Sequence, residues 1–307
     1  MLVLLVGASG YLGSAIADNL RQHGHQVVSM VRSPRRPSVD GQLAIADLSD
    51  PAAAAAVTTA DVGAVVHAGA PVGDWGLESR SVAAMLAALD EVDKPFVYIS
   101  GLWVLGSSRS PGVLLPRVLD ETAETRPLAV VAGRETLEQT VLTTRSARGI
   151  VVRPGVVHGR GGGIPAMMTR WARERGHGSY IGQGRGSGLT WPMVHVDDLA
   201  DLVLLALTSA ATGAVLHAVA EPAVPVTDIA AAADVAVGQP GRARVWPVAA
   251  AAAALGAPLA EALATSQQAT APASAALGWR PIREGVVRDL TSGSYLIEPE
   301  ARASGLR

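Results

Sequence analysis

The chain has 307 residues, no cysteine, and 25 basic against 27 acidic residues, for a formal net charge of −2. That length is enough for one large or two modest domains with a buried core. The balanced charge gives no reason to expect nucleic acid, and the lack of cysteine excludes disulfides, thiolate nucleophiles and thiolate metal sites.

The opening MLVLLVG is too short for a signal peptide and has no basic residues before it. It reads as a first buried strand, 2–6, and the expected location is the cytoplasm. Further apolar, β-rich runs fall at 26–31, 43–46, 63–67, 95–99 and 149–153. Helical patterns lie between them near 11–22, 51–57, 78–91 and 133–147. Near-continuous apolar strands alternating with amphipathic helices predict a parallel sheet covered on both faces. Six such strands suit an α/β, doubly wound Rossmann fold. After Pro154 the pattern changes to Gly-rich loops at 159–163 and 182–188, with a helix, 164–175, between them. HVDDLADLVLLAL (195–207) reads as a helix whose Asp197 and Asp198 cap its start. A strand near 214–219, a helix near 227–236 and an Ala-rich amphipathic helix, 248–264, follow. Pro258 and Glu261 interrupt that last stretch, so it falls short of the about 18 apolar residues of a membrane span. The expected organisation is a dinucleotide-binding domain, 1–157, to which the chain returns near 190–220. Residues 158–307 are expected to form mainly a smaller substrate lobe.

VLLVGASGYLGSAIADNL places Gly7, Gly10 and Gly13 at a strand-to-helix turn. Gly7 permits the tight turn, Gly10 lets backbone approach a pyrophosphate, and Gly13 allows close helix–strand packing. The helix N-terminus then faces the phosphates, with Ser9 able to add a hydroxyl. An NAD site usually carries an acid roughly 20 residues on. Here Arg32 takes that place and Arg35 and Arg36 follow, which suits the 2′-phosphate of NADPH rather than NADH.

GASGYLG (7–13), ADLSD (46–50), VVHAGA (65–70), RPGVVHG (153–159), HVDDLA (195–200) and LGWRP (277–281) occur in that order. Together they resemble the extended short-chain dehydrogenase/reductase family over most of the chain. The resemblance implies that Tyr11 and Leu12 join the three glycines at the phosphates, with Asp47 and the Leu48 backbone at the adenine. It puts Ala68 and Gly69 at the central ribose and Pro154 and Val156 against the nicotinamide. His67 reads either as a ribose-side residue or as a plain strand-end histidine. His195 reads as structural, Trp279 as packing and Arg280 as a solvated charge.

The family's usual chemistry uses Ser, Tyr and Lys. Tyr protonates the nascent alkoxide, Lys lowers its pKa and holds the ribose, and Ser orients the carbonyl. In PLAVVAGRETLEQ (127–139), alignment on the helix and on Glu138 puts Val130 at the Tyr and Arg134 at the Lys. Gly101 stands at the Ser position, beside Ser100. The four tyrosines, Tyr11, Tyr98, Tyr180 and Tyr295, are followed four residues later by Ala15, Leu102, Gly184 and Pro299, and Lys94 is the only lysine. No Tyr-x-x-x-Lys exists anywhere in the chain. Arg134 can hold ribose hydroxyls or phosphate but is no acid near neutral pH. Ser100, as a hydrogen-bond donor, and His158, with an ordinary pKa near 6.5, are the candidate catalytic residues.

Met167, Met168 and Trp171 share one face of helix 164–175. Trp103, Met167 and Trp191 are the candidate substrate contacts of a flat, apolar pocket, with Trp75 nearby. No metal site is expected. The chain is similar to triad-lacking NADPH ketoreductases that tailor angucyclinone antibiotics of the simocyclinone type. That resemblance implies reduction of an aromatic polyketide carbonyl whose alkoxide is stabilised by neighbouring substrate hydroxyls or water. Two other readings stay open: an NADPH-binding sensor or scaffold without turnover, and a non-redox isomerase or lyase.

Overall fold

In the opening LVLLV four of five residues are buried, because this strand is flanked by strands on both edges and helices on both faces. A computed structural model of the chain describes residues 1–33, 41–69, 74–89, 93–109, 116–182 and 188–296. The first half runs β1 (Leu2–Val6), α1 (Tyr11–Gln22), β2 (Gln26–Val31), β3 (Gln42–Ile45), α2 (Pro51–Ala56), β4 (Ala64–His67), α3 (Trp75–Leu89), β5 (Pro95–Ile99), α4 (Arg134–Leu142) and β6 (Arg148–Pro154). The second runs β7 (Val156–His158), α5 (Gly163–Arg175), β8 (Gly178–Gly182), β9 (Thr190–His195), α6 (Val196–Ser209), β10 (Ala214–Ala218), β11 (Glu221–Pro225), α7 (Val226–Ala236), β12 (Ala243–Pro247), α8 (Val248–Leu255), α9 (Ala257–Leu263), α10 (Pro272–Ala276) and α11 (Val286–Ser292).

Seven strands form one sheet in the order β3-β2-β1-β4-β5-β6-β10, every pair parallel. This is a doubly wound α/β fold. Alternate residues of each strand serve the two faces. Val3 and Leu5 pack with Ile16 of α1 and Leu199 and Val203 of α6, while Leu4 and Val6 pack with Met85 of α3 and Leu137 of α4. Full burial of such a side chain contributes about 1.5–3 kcal/mol. The remaining strands make a three-stranded sheet, β11-β9-β7, and a two-stranded one, β12-β8. These close around a separate core in which Met168, Trp171, Trp191 and Met193 are buried.

Four expectations need correction. The helix drawn over 133–147 ends at Leu142, where the Thr143 hydroxyl turns back onto the Gln139 carbonyl at 2.7 Å; the short polar side chains of TTRS compete with the helix backbone. The helix expected from 78 starts at Trp75, because the Asp74 carboxylate accepts from the Leu77 N–H at 2.9 Å. The Ala-rich stretch is two helices broken at Gly256, whose φ of 86° is left-handed. The N-cap of α6 is His195, whose Nδ1 accepts from the Asp197 N–H at 3.1 Å. Asp198 instead receives the backbone N–H groups of Ile282 and Arg283, at 3.1 and 3.2 Å. Among the described residues no helix is long and apolar enough to cross a membrane.

Candidate functional site

A cleft of about 800 Å³ runs along the carboxyl ends of the strands. In a doubly wound sheet this edge is the place for ligands, because the helix N-termini and the turn backbones converge there. Gly7, Ser9, Gly10, Tyr11 and Leu12 line its middle, Arg32, Asp47 and Leu48 one end, and Ala68, Gly69, Ser100 and Arg134 the other.

The central turn is built to keep side chains out. Gly7 has a φ of 83°, and a Cβ there would stand 2.6 Å from the Ala68 carbonyl oxygen. A Cβ on Gly13 would stand 2.1 Å from the Gly7 oxygen, so α1 lies directly against its own turn. The first N–H groups of α1 have no partner inside the helix, and the N-cap, Gly10, supplies no side-chain hydrogen bond. This is a fitting cradle for a pyrophosphate. At the β2–β3 end, Asp47 accepts from the Ser49 N–H at 2.9 Å. That bond, with a smaller contribution from Arg32, holds its carboxyl below the usual carboxylate range. Arg36 lies outside the described residues.

The other end of the cleft is lined by Ser100 and Arg134. Arg134 is the first residue of α4, and its Nη1 donates to the Ser100 carbonyl at the end of β5. Its Nε and the Ser100 hydroxyl are both buried, with no hydrogen-bond partner among the described residues. The Pro154 carbonyl faces Gly101 nearby, about 3.9 Å from where a Cβ would be. Val130 is half-buried in a 3₁₀ turn, packed with Trp103 and Leu128. Four residues after Arg134, Glu138 receives Arg153 of β6 through Nε at 3.0 Å and Nη2 at 2.6 Å, both side chains buried. This ion pair anchors α4 to the sheet one turn beyond the site. Trp75 lies against Gly133, where a Cβ would come 1.9 Å from its Cγ. Neither contact is legible from spacing, since the partners are 15 and 58 residues apart and nothing local signals them.

His67 ends β4 wholly buried, with neither ring nitrogen paired among the described residues and its ring tilted on Tyr98 at 5.5 Å. Burial pushes its pKa down to about 4, so it is neutral near pH 7. The candidate proton donor His158 is displaced from this end. It is 1% exposed, its Nδ1 is 3.0 Å from the Asp289 carboxylate, and its ring meets His195 edge-on at 5.1 Å. β7 carries it under α11 rather than to the cleft. Val156 also turns away, into the lobe core. Trp191 is 2% exposed and donates its Nε1–H to the Thr265 carbonyl at 3.2 Å, which makes it a core residue rather than a substrate contact. Met167 packs half-buried against the same core, and Trp103 lies half-buried where the two lobes meet. Trp279 is buried and donates to the Asp198 carbonyl at 2.9 Å.

The titratable groups lining the cleft are thus Tyr11, Arg32, Asp47 and Arg134. Burial pushes the Tyr11 hydroxyl above its ordinary value, and guanidinium does not deprotonate near neutrality. Among the described lining residues none releases a proton readily at pH 7.

A model of the NAD dependent epimerase/dehydratase family matches residues 3–219. An uncharacterised Saccharomyces cerevisiae protein, YLL056C, is 32% identical over 249 residues, 75% of this chain and 78% of its own. A 3-diazoavenalumate denitrifying reductase from Streptomyces is 28% identical over 94% of this chain and 100% of its own. The crystal structure of human epimerase family protein SDR39U1, isoform 2, with NADPH superposes with a TM-score of 0.73 at 23% identity, covering 96% of this chain and 99% of that one.

Proposed function

Because this chain belongs to the NAD dependent epimerase/dehydratase family, we propose that its cleft takes NADPH and that it reduces a carbonyl of an aromatic polyketide, an angucyclinone-like intermediate. The observation that carries this reading is a glycine-lined cleft fit for a dinucleotide, ending at Arg134 and Ser100, with no neutral-pH acid among the described residues lining it. Arg32 supports the choice of NADPH, since a guanidinium in place of an acid pairs with a 2′-phosphate by charge and by bidentate hydrogen bonds.

When bound, NADPH supplies the hydride. The residues of this chain do the rest by position. Ser100, whose hydroxyl has no partner among the described residues, would donate to a carbonyl oxygen, and Arg134 adds positive charge where negative charge develops. Neither protonates the product. General acid catalysis usually contributes about two to four orders of magnitude. A ketone flanked by a phenol or enol offsets that loss, because its internal hydrogen bond stabilises the alkoxide and water delivers the final proton.

The name of the Streptomyces relative suggests a second acceptor, a diazo compound reacting as its diazonium cation, on which hydride forms a C–H bond as dinitrogen leaves and no proton is asked of the protein. Arg134 favours the ketone, since a diazonium brings positive charge to a positive site. The experiment is single-turnover reaction of purified protein with 4-deuterated NADPH against ortho-hydroxyaryl ketones, simple ketones and aryl diazonium salts. Deuterium is expected on the carbinol carbon of the alcohol formed from the ortho-hydroxyaryl ketone. NADPH binding without label in any product would instead favour the sensor reading. Arg32→Asp is expected to weaken NADPH at least tenfold more than NADH; equal losses would remove the 2′-phosphate assignment.

A further inference from the structure

The Gly-rich loop at 159–163 does not line the cleft, yet it joins both ends of the chain. Gly159, Arg160, Gly161 and Gly163 have φ of 103°, 50°, 65° and 72°. Backbone of this kind cannot satisfy itself by helix or strand pairing, so its polar groups need partners from elsewhere. Within the loop, the Gly162 N–H donates to the Gly159 carbonyl at 3.0 Å.

Other partners come from the last described turn. The Tyr295 hydroxyl accepts from the Gly159 N–H at 2.8 Å and donates to the Gly162 carbonyl at 2.7 Å. The Ser294 hydroxyl accepts from the Gly161 N–H at 3.0 Å and donates to Asp289 at 2.9 Å. On the opposite side stands the dinucleotide turn. The Tyr11 hydroxyl donates to the Gly159 carbonyl at 2.9 Å, and its ring covers Gly162 so closely that a Cβ there would lie 2.2 Å from Cε2. Arg160 spans from Asp18 of α1 at 2.6 Å to Asp197 of α6 at 2.8 Å.

Tyr11 is the first residue of α1, so whatever fixes its ring fixes the N–H groups that face the cleft. We infer that Tyr295 is a positioning residue for the cofactor: through the loop 159–163 it locks Tyr11, and with it the phosphate-facing turn. Tyr295 itself is not among the described residues lining the cleft. The inference rests on the reading of the cleft as a dinucleotide site.

The test is Tyr295→Phe, which leaves the Gly159 N–H and the Gly162 carbonyl without their partner. NADPH and adenosine 2′-phosphate are titrated against wild type and variant, with amide exchange of residues 8–14 followed in the free proteins. The expected result is about a tenfold rise in the NADPH dissociation constant. Adenosine 2′-phosphate, which reaches only the Arg32 end, should bind unchanged, and exchange of residues 8–14 should quicken. Equal losses for both ligands, or no change in exchange, would overturn the inference. If Tyr295→Phe does not fold, Ser294→Ala, which frees the Gly161 N–H, should show the same split to a smaller degree. Tyr11→Phe combined with Tyr295→Phe should lose no more NADPH affinity than the worse single variant; additive losses would mean that Tyr295 does not act through Tyr11. Failure of wild type to bind NADPH would refute the cofactor assignment, and the exchange of residues 8–14 would still judge the latch.

Discussion

At Gly133 there is no room for a single methyl group, because the Trp75 ring fills the space a Cβ would take. Gly133→Ala must push that ring aside or shift the start of α4, and Arg134 moves with it. Overpacking of this kind costs about 1–3 kcal/mol. The expected outcome is a drop of about tenfold in kcat/KM for NADPH-dependent turnover, partly restored when Trp75→Ala is added; steady-state kinetics of the single and double variants would check it. A second residue-scale effect concerns histidine. Burial holds His67 and His217 at about 4, against an ordinary value near 6.5. As the pH falls through 6.5 the unfolded chain takes up protons first, so stability is full above that pH and lost between 6.5 and 4. The loss is on the order of 3 kcal/mol per histidine. Melting temperature should therefore be flat from pH 7 to 8 and fall below 6.5, with His67→Asn reducing the slope.

Among the elements, α4 has the greatest bearing on chemistry, since its first residue is Arg134 and its fifth is tied into the sheet. Glu138→Gln leaves the buried Arg153 without a counter-charge, which costs about 3–5 kcal/mol. Chemical denaturation should show that loss. The element boundaries also explain what the sequence disclosed. The β1–α1 turn was legible because its glycines, strand and helix are covalent neighbours, and the inner strands of the large sheet because burial on both faces writes continuous apolar runs. The short strands β7, β8, β11 and β12 were not, since runs of three to five mixed residues carry little periodicity. Gly256 and Pro258 did mark the break in the Ala-rich stretch, but composition hid it. The missing Tyr and Lys could be proved by counting, whereas the fate of His158 depended on Asp289, 131 residues away, and on a strand that gave no signal.

Across the whole molecule, two cores meet beside one cleft. The large sheet supplies the cradle, the second core packs Trp171 against Trp246 at 5.4 Å, and Trp103 packs against that core and against a small cluster of Leu102, Val104 and Leu119. On the proposed reading, an ortho-hydroxyaryl ketone held at the Ser100 end of the cleft should tighten NADPH, and calorimetric titration with and without the ketone would measure that coupling.

The edge strand β10 sets a constraint of a different kind. It pairs with β6 only after β7, α5, β8, β9 and α6 have been made. On the ribosome, β6 therefore waits some sixty residues for its neighbour, with one row of amide and carbonyl groups exposed. A nascent chain stalled at residue 157 would offer that row to any other strand, the usual start of aggregation. The first half is thus not a unit the cell can make and release alone, and a fragment 1–157 is expected in the insoluble fraction.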